Sequence, residues 1–183
     1  MKTLIKVFGL LVSLFFFNST VYAQEDKPFY NQKNGAWTIW GHPGNTEAYP
    51  ACIMEMNSQN NQMRFQIIVM VIDSNTLITK LNFQDKSWKT QFVDEIYTGI
   101  SVLKFIDGKV TTEQFEFTVK KNNTVDVVIT KPQLFFDTLI NLKHFDFYFN
   151  LDNSVNLTFA NDIHGSIEHL INCLTEFDKK GKL

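Results

Sequence analysis

Met63–Ile72 reads MRFQIIVMVI and is the most apolar run of the chain after residue 23. Isoleucine and valine fill most of its second half, and such β-branched side chains favour a strand over a helix. Polar turn residues bound it on both sides, NSQNN at 57–61 and DSN at 73–75. An apolar run of this length between two turns indicates a strand at the centre of a sheet.

Shorter segments rich in apolar and β-branched residues lie on both sides of this run. Asp107-Gly108 and Lys121–Asn123 separate neighbouring segments in the way that hairpin turns do. We predict strands over 36–40, 51–56, 76–83, 86–93, 99–106, 113–119, 124–130, 144–151 and 156–159. A meander of this kind predicts an antiparallel sheet that forms a sandwich or a barrel.

Two segments have the period of an amphipathic helix instead. The first lies near 133–142 and is opened by Pro132, a residue that suits the first turn of a helix. The second covers 162–177, where one apolar stripe contains Ile163, Ile167, Leu170, Leu174 and Phe177. The predicted fold class is therefore mainly β (α+β), with a short helix and a C-terminal helix.

The first 23 residues have the pattern of a secretory signal peptide. Lys2 and Lys6 precede an apolar run over 7–17, which is too short to span a bilayer. Val21-Tyr22-Ala23 then places small residues where a signal peptidase reads the chain. We expect cleavage after Ala23 and a periplasmic or secreted protein.

The mature sequence predicts a single domain. Residues 24–34 are polar and are expected to form a flexible lead-in. Residues 35–178 would form one β-rich domain, and 179–183 a charged tail.

Composition argues against two classes of partner. The chain has 17 Lys and Arg against 19 Asp and Glu, and Arg64 is its only arginine. Loss of the two lysines of the signal peptide would leave a net charge of about −4. Nucleic acids and anionic lipid surfaces require a basic patch, so we expect binding to neither. No segment after residue 23 approaches about 18 consecutive apolar residues, so we expect no stable membrane insertion.

Cys52 and Cys173 are the only cysteines of the chain. Export would place both in an oxidising compartment, so we predict a disulfide that ties an early strand to the last helix. It would close a loop of about 120 residues, for which the chain-entropy model gives a stabilisation of ~4–5 kcal/mol. Free thiols, intermolecular pairing and metal binding are the alternatives.

Two loops are candidate binding sites. Trp40–Pro50 (WGHPGNTEAYP) combines aromatic side chains with turn formers and an acid, a composition typical of interaction surfaces. Its candidate residues are Trp40, His42, Glu47 and Tyr49. The second loop, Asp94–Gly99 (DEIYTG), adds Asp94, Glu95 and Tyr97. The alternative for Trp40 is packing in or against the core.

Catalytic and metal-binding patterns are weak. His169 and Cys173 are four residues apart on one helix face, a spacing that a Cys–His nucleophile or half a metal site could use. A disulfide at Cys173 would exclude the nucleophile. Asp94-Glu95, or Asp137 with Asp146, could serve glycan hydrolysis. The sequence contains no phosphate-loop, dinucleotide, zincin or nucleophile-elbow motif, so no cofactor, metal or catalytic residue is predicted.

The order of these features resembles small exported bacterial proteins of the invasion-associated locus B type. The resemblance lies in the Trp37–Trp40 strand, the early Cys52, the meander over 62–130 and the features that follow it. Those features are the helix at Gln133–Leu142, the F-x-F pattern of Phe145–Phe149 and a last helix that carries Cys173. The resemblance implies a β-rich envelope protein with a disulfide, and it implies no active site.

Three functions are compatible with the sequence. Export, small size, net acidity and a disulfide favour a non-enzymatic module that binds another exported protein, for example as an inhibitor or an immunity protein against a toxin or hydrolase. The phenylalanine-rich meander could instead enclose a cavity for a small apolar ligand or a lipid. A cell-wall hydrolase with an unrecognised site is the third.

Overall fold

The structure is a computed structural model that describes residues 28–44, 48–58, 62–73, 76–88, 95–120, 123–149, 153–158 and 163–179. The predicted signal peptide lies outside these residues. The described part contains ten strands and two helices. The first five strands are β1 (Tyr30–Asn34), β2 (Trp37–His42), β3 (Ala51–Asn57), β4 (Met63–Asp73) and β5 (Thr76–Asp85). The remaining elements are β6 (Ile96–Phe105), β7 (Val110–Lys120), β8 (Thr124–Ile129), α1 (Pro132–Ile140), β9 (Leu142–Phe149), β10 (Asn153–Thr158) and α2 (Ile163–Lys179).

All ten strands belong to one antiparallel sheet with the order β1-β2-β3-β4-β5-β8-β7-β6-β9-β10. The MRFQIIVMVI stretch forms β4, which pairs with β3 on one side and with β5 on the other. Its alternate side chains Phe65, Ile67 and Val69 are buried. The prediction of an interior strand is therefore confirmed, and so is the mainly β fold class.

The sheet is rolled, so that distant strands face each other across the core. Phe83 of β5 and Phe147 of β9 are separated in the sheet by three strands, yet their ring centroids are 4.5 Å apart. Phe149 lies 5.3 Å from Phe83 and 5.1 Å from Phe117 of β7. The expected phenylalanine core is thus present on the concave face, which we call the inner face. The described strand pairs leave β1 and β10 as the two ends of an open sheet.

Helix α2 covers the inner face of β1, β2 and β3. Ile163, Ile167, Leu170 and Phe177, all from the predicted apolar stripe, are buried. Cys173 lies among them and forms the predicted disulfide with Cys52 of β3, with a Cα–Cα distance of 6.0 Å. The bond joins residues 121 positions apart, so it fixes the last helix to the first half of the sheet.

The lead-in predicted over 24–34 is wrong for Tyr30–Asn34, which forms β1 and pairs with β2. Polar side chains of β1 explain the difference, because they bond to the last helix. The Tyr30 hydroxyl lies 3.2 Å from His169 Nδ1, and Asn34 Nδ2 donates to Ser166 Oγ at 3.2 Å. This polar segment is therefore an edge strand, and its side chains are held by α2.

Element boundaries also differ from the prediction. The strand expected over 86–93 is not seen at 86–88, where a turn follows β5, and 89–93 lie outside the described residues. Trp88 in this segment is buried and packs against Phe149, with ring centroids 5.5 Å apart. Helix α1 ends at Ile140, two residues earlier than predicted, because Leu142 already belongs to β9.

Candidate functional site

The first predicted loop begins later than expected, because Gly41 and His42 still belong to β2. Trp40 is half-buried and lies on the outer face, opposite Ile53 of β3. His42 Nδ1 accepts a hydrogen bond from the Gly44 backbone N–H at 3.0 Å, so this histidine stabilises the turn. Tyr49 is exposed, and Glu47 lies outside the described residues.

The second predicted loop is largely a strand, since Ile96–Gly99 begins β6. Tyr97 is half-buried on the inner face and stacks on Phe117, with ring centroids 5.5 Å apart. Its hydroxyl donates to Glu95 Oε2 at 2.9 Å. Burial raises the pKa of Tyr97 above 10.0, and the hydrogen bond and charge of Glu95 raise this pKa further. Asp94 lies outside the described residues.

These two sets of predicted residues do not form one site. Trp40 and Tyr97 lie on opposite faces of the sheet, and the order of strands places five others between β2 and β6. The disulfide also leaves neither cysteine with a free thiol, so a Cys–His nucleophile at Cys173 and His169 is excluded.

The structure instead contains a groove that the sequence did not predict. It has a volume of about 750 Å³ and lies between β7, β8 and α1. The buried residues that line it are Ser101, Leu103, Phe117, Val127, Leu142 and Phe145. We call it the β7–β8 groove.

The groove exists because β7 and β8 separate. The two strands pair only over Thr118–Lys120 and Thr124–Asp126. Beyond that point β7 continues beside β6, and β8 continues beside β5 as far as Ile129. Residues of both faces of the sheet line the groove, because it passes through the gap between the two strands.

Exposed apolar side chains surround this groove. Ile96, Val128 and Leu134 all line it and are 71%, 60% and 59% exposed. Folded monomers rarely expose large apolar side chains as a contiguous group, and such groups mark binding surfaces. Phe115 and Phe135 are half-buried beside them and extend the apolar lining inward.

The charged residues of the groove are mainly acidic. Glu113 and Glu116 of β7 line it, and within the described part of the chain neither has an ion-pair partner. Asp126 also lines it, but Lys80 Nζ lies 3.0 Å from its Oδ2 and Asn82 Nδ2 donates to its Oδ1 at 2.6 Å. The two glutamates therefore give the groove an excess of negative charge, which only Lys131 opposes among the described residues that line it.

A second, smaller cavity of about 450 Å³ lies between β1 and α2. Tyr30, Gln32, His169 and Glu176 line it together with Phe29, Asn172 and Thr175. Burial raises the pKa of Tyr30, and the negative charge of Glu176 raises it further. Tyr30 and His169 both line this cavity, and the contact between them holds β1 on α2.

Groups that could hold a metal are not found in the described ranges, which contain no cluster of three His, Cys, Asp or Glu side chains. Neither of the two described helices is long and apolar enough to span a membrane.

One signal in the sequence could have indicated the groove. Val127, Val128 and Ile129 are consecutive, so the strict alternation of a half-buried strand fails there. The helical stripe near 133–142 likewise includes Leu134, which the structure leaves exposed. Both segments contain more apolar residues than the core can bury. This excess was the evidence in the sequence for a surface site.

Comparisons with known proteins give one weak structural similarity and no function. No family model matches the sequence, and no curated protein matches it. Among solved structures, the chain is similar to invasion associated protein B from Bartonella henselae, with a TM-score of 0.44 and 16% sequence identity. The alignment covers 79% of this chain and 98% of that one. The chain thus bears a weak resemblance to proteins of this type in structure as well as in sequence. The disulfide is typical of a compartment outside the cytoplasm.

Proposed function

We propose that the protein is an exported, non-enzymatic module that binds another exported protein through the β7–β8 groove. The observation that carries this proposal is the clustering of Ile96, Val128 and Leu134, three strongly exposed apolar side chains, around one groove. Burial of these side chains by a partner would remove apolar surface from water, which is the main driving force of association. The predicted signal peptide and the disulfide support export.

The charge of the groove favours a basic partner. Glu113 and Glu116 are exposed and without ion-pair partners in the described part of the chain. Opposite charges on two surfaces accelerate association and exclude partners of like charge. An inhibitor or immunity protein that guards the envelope against a basic toxin or hydrolase is the specific form of this proposal.

The test is affinity capture with the mature chain, Gln24–Leu183, immobilised with its disulfide intact. The groove variant carries Val128→Lys and Leu134→Lys. The control variant carries Ile106→Lys, which changes an equally exposed apolar residue outside the groove lining. Each captured protein is then purified and its affinity measured for all three forms.

A partner that binds wild type and the Ile106→Lys control, and binds the groove variant at least about 10-fold more weakly, supports the proposal. Its enzymatic activity with and without this protein then tests the inhibitor form. Equal affinity for all three forms, or no partner at all, contradicts binding through this groove.

The apolar interior favours a second candidate, the binding of a small apolar ligand or lipid. The groove volume of about 750 Å³ lies within the range of small-molecule sites, and Phe117, Phe145 and Leu103 line its buried part. Organic extraction of protein purified from its native host, followed by mass spectrometry, tests this candidate. A stoichiometric lipid retained by wild type and lost in the Val128→Lys, Leu134→Lys variant would favour it over protein binding.

A further inference from the structure

Within the described residues, strand β7 has a free edge along most of its length. On one side it pairs with β6 from Val110, opposite Lys104, to Thr118, opposite Ile96. On its other side the described residues provide a partner only from Thr118 onward, in β8. Among the described strands, Val110–Phe117 therefore has one neighbour instead of two.

The Glu113–Phe117 part of this edge lines the groove and presents backbone hydrogen-bonding groups to it. In an antiparallel pair every second residue directs its N–H and C=O toward the neighbour, and the residues between them direct these groups away. About half of the eight residues of Val110–Phe117 therefore point N–H and C=O groups into the gap. An edge of this kind is a template for another strand.

The groove also provides places for the side chains of an added strand. Side chains of a strand alternate between two faces. Those on one face would meet the apolar interior near Phe115 and Phe135, and those on the other would meet Ile96 and Val128. A lining drawn from both faces of the sheet fits an extended peptide, because a peptide in the gap has side chains on both faces.

We propose that the partner inserts an extended segment into this gap and pairs it with the free edge of β7 over Val110–Phe117. The segment is mainly apolar and has one basic side chain on each face, since Glu113 and Glu116 lie on opposite faces of β7. This inference rests on the proposed function and specifies how the groove binds its partner. Such strand addition derives its affinity from backbone hydrogen bonds and its specificity from alternate side chains.

The experiment uses a peptide as the probe. A phage-displayed library of extended peptides is selected on the oxidised mature chain, and peptides that also bind the Val128→Lys, Leu134→Lys variant are removed. The best peptide is synthesised in three forms: unmodified, N-methylated at its odd-numbered amides, and N-methylated at its even-numbered amides. N-methylation removes a backbone donor and leaves the side chains unchanged.

Strand addition predicts that one methylated form loses about 10-fold or more in affinity, while the other stays within about 2-fold of the unmodified peptide. It also predicts slower amide hydrogen exchange within Val110–Phe117 when the unmodified peptide is bound. Equal effects of the two methylation patterns would overturn strand addition and leave the groove as a binding site. Failure to select any groove-dependent peptide would overturn both proposals, binding through the groove and strand addition to β7.

Charge recognition is tested with the same peptide. Glu113→Gln and Glu116→Gln each should lower its affinity by about 2- to 5-fold at low salt. Glu168→Gln removes another exposed carboxylate, which lies on α2 outside the groove lining, and serves as the control. Equal effects of all three substitutions would overturn the inferred contact between basic side chains and β7.

Discussion

The ring of Phe115 on β7 lies over the α-carbon of Gly99 on β6, in the space that a Cβ of residue 99 would occupy. The two residues are direct partners across the strands. An added Cβ at Gly99 would lie 2.6 Å from Phe115 Cζ and 2.9 Å from the Tyr148 carbonyl oxygen. The absence of a side chain at residue 99 therefore determines where Phe115 lies, and Phe115 is part of the groove wall.

The first prediction concerns Gly99→Ala. The methyl group must displace the Phe115 ring or the strand that carries Tyr148, so we expect a loss of about 1–3 kcal/mol in the free energy of unfolding. Urea denaturation of oxidised wild type and variant measures it. In a Phe115→Leu background the ring is absent, so the same substitution should cost less. An equal cost in both backgrounds would show that Phe115 does not limit the space at residue 99.

The disulfide gives the second prediction. Cys52 and Cys173 are 121 residues apart, so the chain-entropy model predicts that Cys52→Ala with Cys173→Ala lowers the free energy of unfolding by about 4–5 kcal/mol. Urea denaturation measures this difference, and wild type with a reductant should unfold like the double variant. Native oxidised protein should show no reaction with a thiol reagent. A reactive thiol, or equal stability of the two proteins, would contradict the prediction.

Sequence patterns predicted the sheet because its central strands obey simple rules. Phe65, Ile67 and Val69 alternate with side chains of the outer face, and the neighbouring turns are short and polar. The last helix and the disulfide were predicted as readily. The apolar stripe of α2 has the period of a helix, and two cysteines allow only one intramolecular pairing. These features depend on local sequence or on one unambiguous contact.

The groove could not be predicted in the same way, because it results from where two strands stop pairing. Nothing local in Val110–Phe117 indicates that β8 turns away after Asp126. The two aromatic loops were predicted as binding sites from their composition. In the structure, however, Tyr97 packs against Phe117 and His42 stabilises a turn. Composition identifies residues that can bind, whereas the tertiary structure decides which of them face a shared surface.

The third prediction concerns Asp146, a carboxylate on β9 that is only 4% exposed. His144 Nε2 lies 2.7 Å from its Oδ1, and Lys104 Nζ lies 3.5 Å from its Oδ2. His144→Ala removes the nearer of these two partners, so Lys104 alone of the two would compensate the buried carboxylate. We therefore expect a loss of about 1–3 kcal/mol in the free energy of unfolding. Lys143→Ala changes the exposed neighbour and should stay within about 0.5 kcal/mol of wild type. Similar losses for the two variants in urea denaturation would show that Asp146 does not depend on His144.

The fourth prediction is a pH dependence caused by Tyr97, whose pKa is raised above 10.0 by burial and by Glu95. The folded protein then holds the phenolic proton more tightly than the unfolded chain does. This contribution to stability is complete below the unfolded pKa and is lost as the pH rises through the folded pKa. Glu95→Gln should lower the pKa of Tyr97 toward 10.0.

The phenolate absorbance of wild type minus that of Tyr97→Phe isolates the titration of this residue. Glu168→Gln removes a carboxylate on α2 and should leave the midpoint of this difference titration unchanged. A Tyr97 midpoint at or below 10.0, or no change with Glu95→Gln, would contradict the assignment.

The last prediction separates binding from stability in the groove. Leu134 is 59% exposed on α1, so Leu134→Lys removes little buried apolar surface and should change the free energy of unfolding by no more than about 0.5 kcal/mol. Leu139 on the same helix is fully buried, so Leu139→Ala should cost about 2–5 kcal/mol. Urea denaturation compares the two. If Leu134→Lys destabilised the fold as strongly as Leu139→Ala, Leu134 would be a packing residue, and its exposure would give no support to a binding surface. A stable Leu134→Lys protein that has lost affinity for the partner would show that this leucine serves binding.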